Sequence, residues 1–229
     1  MLNRMTEQVV DYKIAIGDWV KRRLVQMPGV MKIPANGLDI FVKRDFLTPD
    51  ECDGLIRLID PECFPSELLS SAPDPDFRTS QSCNMRAEDP LVSAIEAKLN
   101  GLMGIQPENG EIFQGQRYQV GQQFKPHHDF FHASEPYWQH MMRCGGQRTW
   151  TAMVFLNVPE GGGQTEFVEA GIKVTPRTGN LLTWNNLDAL GNPNPLSMHS
   201  GCPVTAGVKY VITKWYRERP WILTDVRTY

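Results

Sequence analysis

The stretch "RTWTAMVFLNVPEGGGQTEF", residues 148–167, gives the clearest indication of the fold. Its first half is rich in Thr, Trp, Val and Phe, which favour extended strands, and its glycine run makes a turn into another short strand. Similar runs recur from residue 111 onward, for example "NLLTW" (180–184) and "KYVITKWY" (209–216). We therefore expect about eight short strands in this part of the chain, arranged as a jelly roll or a barrel.

Two amphipathic helices are predicted before these strands. The first, within "FLTPDECDGLIRLI" (46–59), has a clear start: Thr48 can cap it, Pro49 suits the first turn, and Glu51 completes a capping box. The second is "PLVSAIEAKLNGLMGI" (90–105), which ends at glycines. Helices followed by a run of strands predict an α+β protein.

The first thirty residues predict a further helix. Their apolar residues fall near helical spacing, with Lys and Arg between them: Val9, Val10, Ile14, Ile16, Trp19, Val20 and Leu24. We expect this apolar face to pack on the main domain, and the alternative is that "GDWVKRRLVQM" (17–27) pairs two chains, so the protein is a monomer or a homodimer. The chain then divides into an N-terminal helical extension, residues 1–30, and a main domain, residues 31–229.

A long loop is predicted between the helices of residues 46–59 and 90–105. Residues 70–82, "SSAPDPDFRTSQS", are rich in Pro, Asp and Ser and have no hydrophobic period. Long loops in a compact domain often cover a binding site, so this segment is a candidate lid.

Composition narrows the classes of function. The chain has 229 residues, of which 41% are hydrophobic, enough for one medium domain with a sizeable core. Its net charge of -3 offers no basic excess, so nucleic acid is not an expected partner. No stretch approaches the roughly 20 apolar residues of a membrane span, and the first residues do not resemble a secretory signal. Five widely spaced cysteines without a CxxC suit reduced thiols, and we expect a cytoplasmic location.

The segment "FKPHHDFFH", residues 124–132, is the candidate metal site. On an extended strand, residues two apart share a face, so His127 and Asp129 face the same way and His128 faces the opposite way. One imidazole and one carboxylate are two thirds of the 2-His-1-carboxylate arrangement that holds non-haem Fe(II). His132 and His140 are expected in loops. A His-x-Asp pair alone is common by chance, so the residues around it decide its meaning.

Two residues near the C-terminus strengthen the metal hypothesis. His199 is the remaining distant histidine and can complete the ligand set, although zinc accepts the same ligands. Lys209 follows ten residues later within a predicted strand, where a buried ammonium requires an anionic partner unless the side chain reaches water. We infer an anionic co-substrate between Lys209 and the metal, with the hydroxyl of Thr165 as a second contact.

From about residue 32 to 219 the chain resembles the prolyl 4-hydroxylase branch of the 2-oxoglutarate- and Fe(II)-dependent dioxygenases. Six collinear pieces carry the resemblance: "FLTPDECDGLI", "FRTSQSC", "RYQVGQQFKPHHDFF", "RTWTAMVFLNVPEGGGQTEF", "KVTPRTGNLLTWNN" and "HSGCPVTAGVKYVITKWYRE". The resemblance implies a double-stranded β-helix (jelly-roll) core with supporting N-terminal helices. It also implies a dioxygenase that hydroxylates a prolyl residue in a peptide or protein while 2-oxoglutarate is decarboxylated to succinate.

The same resemblance assigns roles to individual residues. His127, Asp129 and His199 become the Fe(II) ligands, and Lys209 pairs with the far carboxylate of 2-oxoglutarate. Tyr118 and Thr165 match the family positions whose hydroxyls contact the co-substrate. Arg148 and Trp215 match positions that line the substrate side in relatives. The cofactors are then Fe(II), 2-oxoglutarate and O2, with L-ascorbic acid as an addition, and residues 70–82 are the loop that folds over a bound peptide.

One position departs from the family. Phe124 stands where the family usually has tyrosine, three residues before the first ligand. The missing hydroxyl weakens the assignment of the substrate and leaves the iron and co-substrate assignments unchanged. A hydroxylase of a free amino acid or other small metabolite, and a non-catalytic metal-binding module, remain alternatives. A nucleic-acid demethylase of the same fold is disfavoured by the net charge.

Overall fold

The computed structural model describes residues 11–69 and 74–222. Four α-helices lie within these residues: α1 (Tyr12–Gln26), α2 (Pro49–Ile59), α3 (Pro90–Met103) and α4 (Trp138–Arg143). The strands are β1 (Val30–Lys32), β2 (Ile40–Lys43), β3 (Phe64–Pro65), β4 (Gln81–Asn84), β5 (Gln114–Tyr118), β6 (Phe124–His127), β7 (Arg148–Phe155), β8 (Gly161–Gly162), β9 (Thr165–Phe167), β10 (Ile172–Val174), β11 (Leu181–Asn185), β12 (His199–Gly201), β13 (Val204–Ala206) and β14 (Lys209–Arg217).

The strands form one large and one small antiparallel sheet. The large sheet has the order β1-β2-β11-β7-β14-β5-β4-β3, and the small sheet has the order β10-β9-β12-β6. A two-stranded ribbon, β13-β8, lies beside them. Neighbouring strands in the sheets are often far apart in sequence, which is typical of a jelly roll rather than of a simple meander.

Two hydrophobic clusters define three layers. One cluster joins α1, α2 and α3 to one face of the large sheet, with Leu24, Leu55 and Leu99 packed near Trp150. The other lies between the sheets, where Phe167 of the small sheet meets residues of the large sheet such as Trp184. The helices therefore cover one face of the large sheet. The other face of the large sheet and the small sheet enclose the interior in which the candidate site lies. This arrangement confirms the α+β prediction.

Strand β14 shows how alternation directs side chains into different layers. Ile212 and Tyr216 pack in the cluster on the helical side, whereas Val211 packs in the cluster between the sheets. Lys209 lies two residues before Val211 and shares its face of the strand. The predicted strand therefore places an ammonium group in the interior between the sheets.

The described part of the N-terminal extension agrees only in part with the predicted apolar face, because Ile14 and Trp19 are exposed. Helix α1 begins at Tyr12, with Asp11 as its N-cap, and its Val20 and Leu24 are completely buried in the core. Val9 and Val10 lie outside the described residues. The described part of the extension thus packs on the main domain through Val20 and Leu24. The division of the chain at residue 30 remains a prediction.

The structure contains more secondary structure than the sequence patterns predict. Strands β1 to β4 precede the predicted strand region, and His140 lies in the helix α4 rather than in a loop. Within the predicted loop 70–82, residues 70–73 lie outside the described part, and its last residues enter β4. These elements are two to six residues long and have no complete hydrophobic period, so only their packing on the sheets stabilises them. Among the described helices none is both long and apolar enough to cross a bilayer.

Candidate active site

The three predicted metal ligands meet on the small sheet. Strand β6 ends at His127, strand β12 begins at His199, and these two residues are directly opposite each other in the antiparallel pair. One ligand atom from each histidine and one from Asp129 lie within 4.8 Å of one another. Asp129 itself follows the end of β6 in a bend, so the shared face predicted from strand alternation is reached by a turn of the chain.

Backbone hydrogen bonds orient both imidazoles. His127 donates from Nδ1 to the carbonyl oxygen of Lys125 at 2.8 Å, and His199 donates from Nδ1 to the carbonyl oxygen of Ser197 at 2.9 Å. A carbonyl only accepts, so Nδ1 carries a proton in both rings and Nε2 is the atom of each ring that can bind a metal. These Nε2 atoms lie 3.9 and 3.7 Å from the two carboxylate oxygens of Asp129.

The carboxylate is held by a polar chain that the sequence analysis did not identify. Thr151 of β7 donates to Asp129 Oδ2 at 2.7 Å, and Asn186 donates to the Thr151 hydroxyl at 2.9 Å. Burial alone would raise the pKa of Asp129, but His199, His127 and the hydrogen bond from Thr151 lower it overall. Burial and the neighbouring His199 place the pKa of His127 well below its usual value. The donor set is therefore a carboxylate with two imidazoles, which suits Fe(II) or Zn²⁺.

His128 faces away from this group, as predicted. Its Nε2 lies 3.3 Å from the carbonyl oxygen of Pro195, and its ring stacks against Phe130 with 4.3 Å between centroids. Of the two adjacent histidines, only His127 has a nitrogen directed towards Asp129.

A buried cation, Lys209, lies among residues of the cluster between the sheets. Lys209 begins β14 opposite Tyr118 of β5, and its Nζ is 5.0 Å from the centre of the Tyr118 ring. Only 2% of Lys209 is exposed, and within the described part of the chain its ammonium has no hydrogen bond or ion pair. Burial lowers the pKa of Lys209 to about 8. A buried ammonium without an anion is costly, so this position favours an anionic ligand.

The two hydroxyls predicted beside Lys209 differ in their environments. Thr165 Oγ1 is buried and has no hydrogen-bond partner among residues 11–69 and 74–222. The Tyr118 hydroxyl donates to Gln116 Oε1 at 3.0 Å. Because buried polar groups are almost always paired, the free Thr165 hydroxyl is a second feature that fits a polar ligand in this part of the interior.

Phe124 packs directly on the metal-ligand group. Its ring stacks on His127 with 3.5 Å between centroids, and the Arg78 guanidinium lies 4.7 Å from its centre. Arg78, which the sequence analysis left unassigned within the candidate lid, donates to Gln114 at 2.8 Å and forms an antiparallel bridge with Phe124. The chain around Arg78 therefore borders the small sheet next to the first ligand.

Arg148 and Trp215 lie together on the large sheet, Arg148 at the start of β7 and Trp215 on β14. The Arg148 guanidinium is 4.2 Å from the centre of the Trp215 ring and makes two hydrogen bonds of 2.7 Å to Glu111. Glu111 also accepts from Arg217 at 2.5 Å, so one buried carboxylate holds two guanidinium groups. Glu111 was not predicted, because its partners are 37 and 106 residues away in sequence.

Comparisons of this chain with a family model and with known proteins all indicate the same family. Residues 113–217 match the model of the 2OG-Fe(II) oxygenase superfamily. The chain is 32% identical over 200 residues to probable prolyl 4-hydroxylase 8 of Arabidopsis thaliana, covering 77% of this chain and 67% of that protein. It is 31% identical over 180 residues to a putative prolyl 4-hydroxylase of Acanthamoeba polyphaga mimivirus, covering 78% of this chain and 74% of that protein.

A solved structure agrees with the fold. The viral collagen prolyl hydroxylase vCPH from Paramecium Bursaria Chlorella virus-1, solved as a 2OG complex, superimposes with a TM-score of 0.60 at 26% identity, covering 82% of this chain and 96% of that chain. The chain belongs to the prolyl 4-hydroxylase family of the 2OG-Fe(II) oxygenases. The predicted double-stranded β-helix core with supporting helices is thereby confirmed.

Proposed function

We propose that the protein is a 2-oxoglutarate- and Fe(II)-dependent dioxygenase that hydroxylates a prolyl residue in a peptide or protein. The observation that carries the proposal is the convergence of two imidazole Nε2 atoms on one ionised carboxylate, at His127, His199 and Asp129, in the same interior as the unpaired Lys209. This donor set and this cation suit the metal and the co-substrate that define the family.

In the proposed reaction, the protein's residues orient and protect the reactants. The carbonyl oxygens of Lys125 and Ser197 keep the two imidazoles in the tautomer that can bind a metal. Thr151 fixes one oxygen of the Asp129 carboxylate, which would hold the metal together with the two imidazoles. Lys209 and Thr165 would bind the far carboxylate of 2-oxoglutarate and so fix its orientation. The apolar walls between the sheets exclude water from the reacting groups.

When bound, Fe(II) and 2-oxoglutarate supply the oxidising chemistry: one atom of O2 enters succinate as CO2 is lost, and the other enters a substrate C–H bond as a hydroxyl. Arg148, Trp215 and Phe124 would line the substrate side. A hydroxylase of a free amino acid or other small metabolite would share the metal and co-substrate residues and differ in this lining. Similarity over three quarters of the chain to a relative named as a probable prolyl 4-hydroxylase supports a prolyl residue as the substrate.

The first test is an anaerobic titration of the Fe(II)-loaded protein with 2-oxoglutarate, followed by the weak visible charge-transfer band of the chelated complex. We expect a band in the wild type and a much higher 2-oxoglutarate requirement in Lys209→Ala. Lys173→Ala, which removes an exposed lysine from β10, is the matched control and should titrate like the wild type. A folded, metal-loaded protein without the band would leave a metal-binding module as the better explanation.

The second test identifies the substrate class. Proline-containing peptides and free amino acids are incubated with Fe(II), 2-oxoglutarate and O2, and the gain of one oxygen and the formation of succinate are measured by mass spectrometry. We expect coupled oxidation of peptides and its loss in Asp129→Ala and His199→Ala. Coupled oxidation of a free amino acid alone would favour the small-metabolite hydroxylase.

Several finer features of the proposal remain predictions. We expect ascorbate to restore activity lost during uncoupled turnover. We expect a cytoplasmic monomer or homodimer that does not bind nucleic acid. The assignment of Fe(II) rather than Zn²⁺ depends on the titration described above, because both metals accept these ligands.

A further inference from the structure

Two cysteines face each other across the edge of the large sheet. Strands β3 and β4 are antiparallel, with Phe64 opposite Ser82. Extending this register by one residue beyond the end of β3 places Cys63, which precedes Phe64, opposite Cys83, which follows Ser82. They are 20 positions apart in a sequence that has no CxxC motif. Sequence spacing therefore did not relate these two thiols, and only the register of the strands brings them together.

The hydrogen-bond pattern identifies the type of pair. The Ser66 amide donates to the Ser80 carbonyl oxygen at 3.0 Å, which marks that opposite pair as hydrogen-bonded. Opposite pairs alternate between hydrogen-bonded and non-hydrogen-bonded, and Cys63 and Cys83 are three steps away, so theirs is a non-hydrogen-bonded pair. In such pairs the Cα atoms are about 4.5 Å apart, within the range of about 4.4–6.8 Å found for disulfides.

The environment of the pair is consistent with direct contact. Both side chains belong to the cluster between the helices and the large sheet, where Cys83 is buried and Cys63 is partly exposed. Each thiol also influences the pKa of the other, which is consistent with two sulfur atoms that lie close together. Cys52, Cys144 and Cys202 are the other cysteines of the chain, and none is placed opposite a second cysteine in a strand pair of the described residues.

We propose that Cys63 and Cys83 are a reversible disulfide-forming pair that fastens the edge strand β3 to β4. With glutathione disulfide as the oxidant, the Cys63 thiolate attacks one sulfur and releases one glutathione thiolate. Cys83, losing its proton, then attacks the Cys63 sulfur of the mixed disulfide and releases the second glutathione. Two electrons pass from the cysteines to glutathione disulfide, and the two protons lost by the thiols convert the leaving thiolates to glutathione.

The two thiols differ in access rather than in acidity. Burial raises the pKa of both, and that of Cys83 to about 12. Because only a thiolate attacks a disulfide, we expect the exchange to be slow at neutral pH and faster as the pH rises. Cys63 is the entry point for exchange because it is the more exposed residue, whereas buried Cys83 reacts with its neighbour.

A disulfide between these cysteines would change the stability of one edge of the large sheet. Strand β3 has two residues and is the last strand of the large sheet, and β4 joins it to β5, which carries Tyr118. Edge strands this short contribute few hydrogen bonds and open easily. A disulfide between Cys63 and Cys83 would close a loop of about 20 residues and restrict the unfolded chain, which stabilises the folded state.

The test uses the full chain equilibrated in buffers of defined reduced and oxidised glutathione, followed by alkylation and peptide mapping by mass spectrometry. We expect a single cross-link between the peptides that contain Cys63 and Cys83. We also expect the oxidised protein to melt roughly 5–10 °C higher than the reduced protein. Cys63→Ser and Cys83→Ser should abolish both effects, whereas Cys202→Ser should keep them.

Two results would overturn the proposal. One is a mixed disulfide of Cys63 with glutathione that never resolves to the cross-link, and the other is a cross-link without a change in melting temperature. Both readouts are independent of iron, 2-oxoglutarate and peptide. Failure of the hydroxylase assignment therefore leaves this result interpretable, and the reverse also holds.

Discussion

The orientation of the Asp129 carboxylate depends on a hydrogen bond from the Thr151 hydroxyl as well as on the position of Asp129 in the chain. The 2.7 Å hydrogen bond between them holds one carboxylate oxygen, and Asn186 in turn fixes the hydroxyl. Such outer partners orient ligands, and their loss typically weakens metal binding about 10–100-fold. Thr151 is therefore the positioning residue whose effect is simplest to measure.

We expect Thr151→Val to weaken Mn²⁺ binding by roughly tenfold or more, because valine has nearly the same shape and cannot donate to Asp129. Equilibrium dialysis with detection of free Mn²⁺ by electron paramagnetic resonance measures this without turnover. Thr151→Ser, which retains the hydroxyl, is the matched control and should bind nearly as the wild type does. Equal affinities for the valine and serine variants would exclude a positioning role.

Lys209 makes co-substrate binding depend on pH. Burial lowers its pKa to about 8, so the ammonium form predominates below pH 8 and is lost as the pH rises. A carboxylate binds the charged form, and the dissociation constant for 2-oxoglutarate should therefore be constant below pH 8 and rise by roughly tenfold per pH unit above it. Anaerobic titrations at pH 6.5 to 9.5 measure this dependence.

A co-substrate analogue provides the control for the Lys209 prediction. 2-Oxobutyrate has the keto acid that chelates the metal but lacks the far carboxylate. Its binding should be weaker and should not show the rise above pH 8. If both compounds show the same rise, the titrating group acts on the metal or the keto acid, and Lys209 does not bind the far carboxylate.

At the scale of secondary structure, the start of α2 is the element that the sequence specifies most completely. Thr48 Oγ1 accepts from the Glu51 amide at 3.2 Å, and Glu51 Oε2 accepts from the Thr48 amide at 2.7 Å, so the predicted capping box is confirmed. Lys98 of α3 also donates to Glu51 at 3.2 Å. One motif therefore fixes the start of α2 and contributes to its packing on α3.

Removing the cap should destabilise the protein without affecting the site. We expect Thr48→Ala to lower the free energy of unfolding by about 1 kcal/mol, because one amide of the first turn loses its acceptor. Urea denaturation followed by circular dichroism measures the change. Thr48→Ser keeps the acceptor and should remain within a few tenths of a kcal/mol of the wild type; a comparable loss in both variants would assign the effect to packing of the methyl group.

Across the whole molecule, Glu111 links distant parts of the sheet. It pairs with Arg148 of β7 and Arg217 of β14, and its carbonyl oxygen accepts from Lys214 at 2.7 Å. Burial would raise the pKa of Glu111, but the two guanidinium groups lower it below its ordinary value of 4.5. Removing the carboxylate would leave two buried cations without their counterion.

We expect Glu111→Gln to lower the free energy of unfolding at pH 7 by about 3–5 kcal/mol, measured by urea denaturation. Glu108→Gln is the control, because Glu108 is exposed and only three residues away. A folded-state pKa below the unfolded value stabilises the protein above about pH 4.5, and this contribution is lost as the pH falls through the folded pKa. The variant should therefore lose less stability than the wild type between pH 5 and 3; parallel curves would contradict this assignment.

Much of the architecture follows from local patterns. The capping box, the amphipathic α3 and the β-rich runs after residue 111 predicted the main helices and the strands of the jelly roll. The pair His127 and Asp129, and the lysine in the last strand, pointed to the candidate site. Strands β1 to β4 and helix α4 were missed, since such short elements carry too few residues to establish a period.

The sequence by itself determined the order and type of the long elements, because capping, hydrophobic period and β-propensity act between residues that are close in the chain. It also determined which side chains of β14 enter the interior, because alternation needs only a strand. Tertiary structure alone brought Thr151 to Asp129, Glu111 to its two arginines, and Cys63 to Cys83. Those contacts depend on the register and packing of the sheets, which are set by the burial of the whole core and have no local signal in the sequence.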